Sequence, residues 1–585
     1  MRDRRISGLA KNLRICTVLL LTSAPVLAGY SPHADRAPTT RVFWGDTHLH
    51  TSVSTDAAAR GNRLGLEQAY RFARGEEVTS STGLQARLRI PLDFLVIADH
   101  SDGMGFFGLL QKGHPDLMAH ELGRRWHDLL LQGKGGLVAK EVISAFAQGT
   151  LPWKSSDPKL MAPVWQANID AAERFNEPGR FTALIGYEWT SLVQGNNLHR
   201  VVILRDGEER AGQLLPFTLE DSADPEDLWA FMARYESTTG GAALAIPHNA
   251  NLSNGMMFAD TTLDGEELDA DYARRRSRWE PLIEISQIKG DGEAHPLLSP
   301  DDEFADYETW DVGNLDLSAA KTPDMLKHEY AREALKRGLA KDARLGANPF
   351  RFGIIASTDS HTSLATAEED NFFGKSPDAE PSPGRTAKPH RQSSAGRIEG
   401  WQQVSSGYAA VWAAANTREA LFDALRRRET YGTTGSRITV RFFGGWDYDA
   451  TDASAPDLAR TGYAGGVPMG GEIGPGKMGA APRFLVAAQR DPAGANLDRI
   501  QIIKGWLDDR GDTHEKVYDV VWAGGERQPG NDDKLPPVGN TVDLANATWH
   551  NSIGAPELAT VWEDPDFDPG QRAFYYVRVL EIPTP

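Results

Sequence analysis

A chain of 585 residues is too long for one ordinary domain and implies two to four domains, or one large barrel with an appendage. A formal net charge of -19 leaves no basic stripe with which to displace counterions, which argues against nucleic acid as a partner. The only cysteine is Cys16, so no disulfide forms within the chain and any metal must be held by histidine and carboxylate.

In chain order, residues 1–28 have the pattern of a signal peptide. A basic start (Arg2, Arg4, Arg5, Lys11, Arg14) precedes an apolar run from Ile15 to Leu21 and a small-residue cleavage site at Val26-Leu27-Ala28. The run is too short to span a bilayer, so the expected mature protein is periplasmic or secreted, without a stable membrane anchor. Residues 29–40 are a linker. From 41 to about 440, short apolar runs alternate with helical patterns: "LDFLVIADH" (92–100), "FTALIGYE" (181–188), "HRVVIL" (199–204), "GAALAIPHN" (241–249), "PLIEIS" (281–286) and "FGIIASTDSH" (352–361). Most end in polar, ligand-type residues, as the strands of an α/β barrel or open sheet do at their active-site end.

A helical insertion is expected over 101–180, with Leu117, Trp126, Leu129 and Leu130 near one face, as a cap or wall of the pocket. Residues 376–396, rich in Pro, Ser and Gly, are expected to form an exposed flexible loop. In "NTREALFDALRRR" the Asn416 and Glu419 spacing is that of a capping box, with Leu421, Ala424 and Leu425 as the buried stripe. Residues 441–585 change to short alternating strands between Gly, Pro and Asp turns, the pattern of a small β-sandwich.

The polar residues at the run ends are His48, His50, Asp56, Asp99, His100, Glu188, His199, His248, Glu284, Asp359 and His361. A lone strand-end histidine is weak evidence of a metal, but here six of fifteen histidines fall at equivalent places. Their N and O donors, without sulfur, suit two or three divalent ions of Mn, Zn or Fe. Asp46 and Asp99 are expected to support neighbours, and a structural role is also favoured for Glu284. Asn196, Asn197 and Asn249 serve either as orienting groups or as turn residues, and Thr433 and Thr434 face the same choice.

The ordered set "FWGDTHLHTSVSTDA", "ADH", the strand-end Glu188, "GNNLHRVVI", "IPHN", "EISQIKGDGE", "DSH" and "RRRETYGTTGSRI" resembles the polymerase and histidinol phosphatase (PHP) superfamily of metal-dependent hydrolases. More narrowly it is similar to a bacterial PHP-like family named as a domain of unknown function. The resemblance implies a distorted seven-stranded β/α barrel, (β/α)7, followed by the β-rich C-terminal domain. It also implies a metal cluster: His48, His50, Glu188 and Asp359 hold one ion, Glu188 bridges to a second with His199 and His248, and His100 with His361 binds a third. Relatives often carry histidine where this chain has Asp56, a hard oxygen donor that favours Mn, Fe or Ca at the third position.

Two cations roughly 3.5–4 Å apart activate a shared water and clamp a tetrahedral or trigonal-bipyramidal centre. The expected activity is therefore hydrolysis of a small-molecule phosphate or sulfate ester. Arg200 and Lys289 are the candidate cations for the charge that develops. An amide or lactone hydrolase on the same cluster stays open, as does a metal-stabilised glycan- or protein-binding module. "GEIGPGKM" (471–478) departs from a P-loop at Met478, and "HELGR" and "HEYAR" lack the second histidine of a zinc-protease helix.

Overall fold

The computed structural model describes residues 1, 38–147, 150–154, 156–476, 479–530 and 534–585. The rest of the expected leader, with Cys16, and residues 29–37 of the linker lie outside them, as does Met478. Among the described residues no helix is long and apolar enough to cross a membrane.

The first part of the chain is a mixed α/β fold. Its main strands are β1 (Arg41–Leu49), β2 (Phe94–Ile97), β3 (Thr182–Trp189), β4 (Arg200–Leu204), β5 (Ala243–Pro247), β6 (Leu282–Gln287), β7 (Gly353–Ala356), β8 (Tyr408–Ala413) and β9 (Thr430–Thr433). Seven of them form one sheet in the order β9-β8-β1-β2-β3-β4-β5. β1, β2 and β3 run parallel, whereas β4 is antiparallel to both β3 and β5, and β8 to both β1 and β9. β6 and β7 pair in parallel in a separate three-stranded sheet with Gly290–Asp291. The closed barrel ladder expected of a (β/α)7 fold is thus not formed among the described residues. The sheet instead curls as a half-barrel. The second sheet meets its edge through Thr430 Oγ1, which donates to Ile354 O at 3.1 Å, and, just beyond the strand ends, through Gly407 N–H, which donates to Ser357 O at 3.0 Å.

The strands read as continuous apolar runs because both faces are covered. In β4, Val201 and Ile203 enter one cluster with Phe43, Val96, Leu184, Leu244, Ile246 and Ile355, while Val202 and Leu204 enter another with Trp165, Tyr187 and Trp229. The helix Arg418–Arg427 seals the first cluster with Leu421, Phe422, Ala424 and Leu425. Its N-cap is Thr417, which accepts from the Ala420 N–H, one residue later than the expected Asn416. Asn416 is buried and committed elsewhere, accepting from Thr182 Oγ1 at 2.7 Å and donating to Asp93 O at 2.9 Å.

Among the described residues, five helices occupy the stretch from 101 to 180 and enclose an apolar cluster of Phe106, Phe107, Leu110, Leu117 and Trp126. The 376–396 segment is exposed over most of 381–394, as expected, and it also carries regular structure. Its Pro389–Gln392 strand pairs with Arg397–Glu399, and buried Glu380 accepts from Ser80 Oγ at 2.5 Å. Polar composition did not distinguish a solvated loop from one tied down by side-chain bonds.

The C-terminal strands are β10 (Thr439–Gly445), β11 (Arg483–Gln489), β12 (Leu497–Leu507), β13 (Thr513–Trp522), β14 (Glu557–Glu563) and β15 (Arg572–Glu581). They form two antiparallel sheets, Gly466–Pro468 with β10, β11 and β14, and β13-β12-β15. Val440, Phe442, Phe484 and Val486 of one share a core with Ile500 and Ile502 of the other. Buried Arg332 ties this part to the first, bonding Asp302 at 2.7 Å, Glu515 at 3.1 Å and the Tyr576 hydroxyl at 2.7 Å.

Candidate metal centre

The histidines and carboxylates singled out in the sequence meet at one end of the curled sheet. β1 delivers His48, and His50 directly follows its last residue on the same face, because alternate residues of an extended chain point the same way. The segment after β7 lies across the end of β1, with Asp359 N–H donating to His48 O (2.8 Å) and His50 N–H to Ser360 O (2.9 Å), which brings Asp359 and His361 beside the pair. β3 supplies Glu188, and His248 follows β5. His199 precedes its strand rather than following it. It still reaches the same end, because β4 runs opposite to β3 and β5.

The donors form overlapping groups whose ligand atoms lie within 4.8 Å of one another: His48, His50 and Asp359; His100, Glu188 and His199; His48, His248 and Glu284; and His50, Asp56, His100 and His361. Glu188 stands at the centre. Its Oε1 faces His199 Nδ1 at 2.8 Å and His248 Nε2 at 2.7 Å, and its Oε2 faces His50 Nε2 at 3.2 Å and His100 Nδ1 at 3.0 Å. Fully buried, Oε2 nonetheless accepts no hydrogen bond. His48 Nε2 and His50 Nε2 lie 3.1 Å apart, each within 3.6 Å of Glu188 Oε2 and Asp359 Oδ1. A buried acceptor without a donor, ringed by nitrogens that point at one another, is what a site for cations looks like in its protein atoms alone. The donor set could therefore hold a metal ion.

Supporting bonds orient these donors. Glu284 meets His48 Nδ1 at 3.1 Å, and Ser54 Oγ meets His50 Nδ1 at 3.1 Å, which turns the Nε2 atom of both rings inward. Glu284 thus acts at the site itself. Asp46 accepts from His48 N–H at 2.9 Å and from Thr358, and Asp99 accepts from Thr51 N–H and Oγ1, so both support chain segments and neither joins the donors. Asn197 holds the His248 backbone, donating to its carbonyl at 2.7 Å, whereas Asn196 donates to Met256 Sδ. Asp359 and Asn249 adopt left-handed backbone, φ 49° in each case, a conformation Asp and Asn tolerate better than most residues. Thr433 and Thr434 lie in a separate cavity of about 910 Å³ between the first part and the C-terminal sheets.

Electrostatics follow from this crowding. Burial pushes the Glu188 carboxyl up, but the facing His100, His248 and His199 hold it well below the usual carboxylate range. His48 is disfavoured as a cation by burial, yet Glu284 and Asp359 raise it to about 10, while burial takes His199 down to about 4. Burial raises Asp359 too, and the ammonium groups of Lys289 and Lys375 overcome it. Asp56 is the outermost donor, its side chain 41 % exposed, with Oδ2 2.6 Å from His361 Nε2 and 3.4 Å from His100 Nε2. The group of His50, Asp56, His100 and His361 therefore opens to solvent.

The sequence model of a family of proteins of unknown function, DUF3604, matches residues 37–585. The chain belongs to the DUF3604 family. No curated protein matches it, and no solved structure does.

Of the two cations expected at this DUF3604 site, Lys289 is present, ion-paired to Asp359. Arg200 is not. Its buried guanidinium pairs with Glu280 at 3.0 Å and donates to Leu198 O, on the far face of β4 from His199. Adjacent strand residues face opposite ways, so a residue next to an inward histidine points outward. Two site residues went unrecognised in the sequence. Buried Lys375 reaches Asp359 Oδ1 at 2.6 Å, and Gln287 donates to Asp359 Oδ2 at 2.8 Å. Gln287 could have been found by its place directly after "EIS". Lys375 carries no such signal, since it borders the segment taken for a solvated loop.

Proposed function

We propose that this chain is a metal-dependent hydrolase of small phosphate or sulfate esters, built on a PHP-like half-barrel. One observation carries the reading: the two oxygens of Glu188 face different histidine sets, as a carboxylate shared by two cations must. His48, His50 and Asp359 with Glu188 would hold one ion, His199 and His248 with Glu188 a second, and Asp56, His100 and His361 a third. Bound there, divalent ions lower the pKa of water and neutralise charge on ester oxygens.

The chain's own groups do the rest. Glu284 and Ser54 fix the ring orientations of His48 and His50, so the donors are preorganised and need no rearrangement. Lys289 and Lys375, both on Asp359, place amino groups beside the donors, where an anionic ester would otherwise meet a ring of carboxylates; burial disfavours both cations, but Asp359 keeps Lys289 raised while Lys375 is brought down to about 7. Burial of His48, His50, Glu188 and His248 keeps bulk water from the inner donors, which strengthens each of these interactions.

The test is an assay of metal-loaded protein (Mn, Zn, Fe) on aryl phosphates, a phosphodiester and aryl sulfates, with metal content of Glu188→Gln measured alongside. Turnover of at least one ester is expected, with Glu188→Gln losing about 100-fold or more in rate or metal affinity. Absence of turnover with every metal, or a Glu188→Gln protein with full metal content and full rate, overturns the reading.

A further inference from the structure

The cavity of about 910 Å³ between the first part and the C-terminal sheets holds none of the metal donors, and its two ends differ in chemistry. Its apolar wall comes from the core shared by the two C-terminal sheets. Tyr431, Met469, Ile473 and Tyr575 pack on that core yet stay only partly buried, and the rings of Phe484 and Tyr575 lie 4.4 Å apart. Arg428 lines one end. It follows the helix Arg418–Arg427 in left-handed backbone, φ 65° and ψ 24°, where a helix end ordinarily takes glycine. A long side chain is kept there nonetheless, and its stem is gripped: a Cβ added at Gly353 or at Gly470 would fall 2.6 Å from Arg428 Cβ. Arg428 Nε donates to Gly470 O and Nη1 to Arg351 O, each at 3.2 Å, so the guanidinium is fixed by carbonyls and forms no ion pair among the described residues.

The carboxylates lining the same cavity are engaged by the protein. Glu472 pairs with Arg351 at 2.6 Å, Asp342 with Arg572 at 3.0 Å and Glu293 with Arg332 at 2.8 Å, while Glu581 accepts from Ser436 Oγ at 2.8 Å and Asp291 from Glu293 N–H at 2.8 Å. Along β9 from Arg428, on the order of 15 Å away at the rise of a strand, Thr433 Oγ1 is buried and makes no hydrogen bond. A fixed, partly buried guanidinium recognises carboxylate, sulfate or phosphate through its N–H donors, aromatic walls suit a ring, and a cavity of this volume suits a molecule of drug size. We propose that the cavity binds an organic anion with an aromatic body, its charged group on Arg428 and its far end against Thr433, at a site separate from the metal donors. This inference is independent of the ester-hydrolase reading.

The experiment is calorimetric titration of the metal-loaded full chain with 4′-hydroxybiphenyl-4-carboxylate and with its uncharged carboxamide. The carboxylate is expected to bind at least about tenfold more tightly. Arg428→Gly supplies the residue that left-handed backbone favours and should bring the two affinities within about threefold; Arg428→Gln, which keeps the stem, should do the same, with thermal unfolding confirming that each folds. The preference should persist in Glu188→Gln, which alters the metal donors alone. No binding of the carboxylate, equal binding of the two probes, or a preference that survives in a folded Arg428 variant overturns the inference. A preference lost in Glu188→Gln also overturns it, by placing the anion at the metal centre. Tight binding of the carboxylate through Arg428 in a protein that turns over no ester would support this site and count against ester hydrolysis alone.

Discussion

Glu280 offers a direct test of where Arg200 belongs. Its Oε1 lies 3.0 Å from Arg200 Nε and accepts from Trp229 Nε1 at 3.0 Å, while Oε2 lies 3.1 Å from Arg276 Nε. The Arg200 and Glu280 side chains are each 2 % exposed. In Glu280→Gln the shape and the tryptophan acceptor survive, but two buried guanidinium groups lose their shared counterion. Coulomb's law at an effective dielectric constant of about 20 gives roughly 5 kcal/mol for each contact at these separations. Desolvation already offsets much of that in the native protein, and breaking a buried pair costs a net amount of about 3–5 kcal/mol. Urea unfolding followed by tryptophan fluorescence, with Trp189 and Trp229 packed close to the network, should show a loss of that size. Metal content per folded molecule should stay at the wild-type value. A Glu280→Gln protein as stable as wild type but defective in turnover would mean that Arg200 serves the reaction and that this assignment is wrong.

Lys504 and Asp564 form a second buried pair at 2.7 Å, joined by the Tyr575 hydroxyl at 2.6 Å, so Lys504→Met should cost about 3–5 kcal/mol in the same unfolding assay. Glu581 gives a pH signature. Burial, with Glu369 nearby, raises its carboxyl from 4.5 to about 7. The folded state therefore holds a proton that the unfolded chain releases first, and stability falls as pH rises from 4.5 through 7, by about 3 kcal/mol at most. Glu581→Gln should melt higher than wild type at about pH 8, with the gap closing towards pH 4.5. Chelation of metal-loaded protein should lower the melting temperature, since ions that bind only the native donors stabilise by mass action. Lys375→Gln should raise KM for an anionic ester by about tenfold or more, with metal content retained.

Much of the site was legible because strand-end donors follow the apolar runs that form the sheet, as in "IPHN" and "STDSH". Two things were not. The direction of β4 depends on a tertiary choice between hairpin and crossover, so the sequence grouped His199 with the run-end donors without showing that it stands before its strand and reaches them only because β4 runs antiparallel. The side each residue faces follows from period two, and applying it at His199 would have turned Arg200 away from the cluster. Lys375 was hidden for a different reason: its position is set by contacts of the following segment, such as Glu380 with Ser80, which no local pattern encodes. In the fold, apolar runs marked where strands lie but not how they pair: they allowed an α/β barrel or an open sheet, the resemblance implied a distorted (β/α)7 barrel, and a curled mixed sheet was found.

Asp359 N–H donates to His48 O, a link between residues more than three hundred positions apart. Its consequence concerns the chain before it is folded. Until the segment after β7 has arrived, only His48 and His50 are near one another by covalent connection, and such a pair alone holds a divalent ion weakly. A chain still being synthesised would therefore offer an ion no more than that pair. If the donors hold a metal, loading would wait until the segment after β7 closes on β1, and the ions available wherever folding is completed would decide which metal they take.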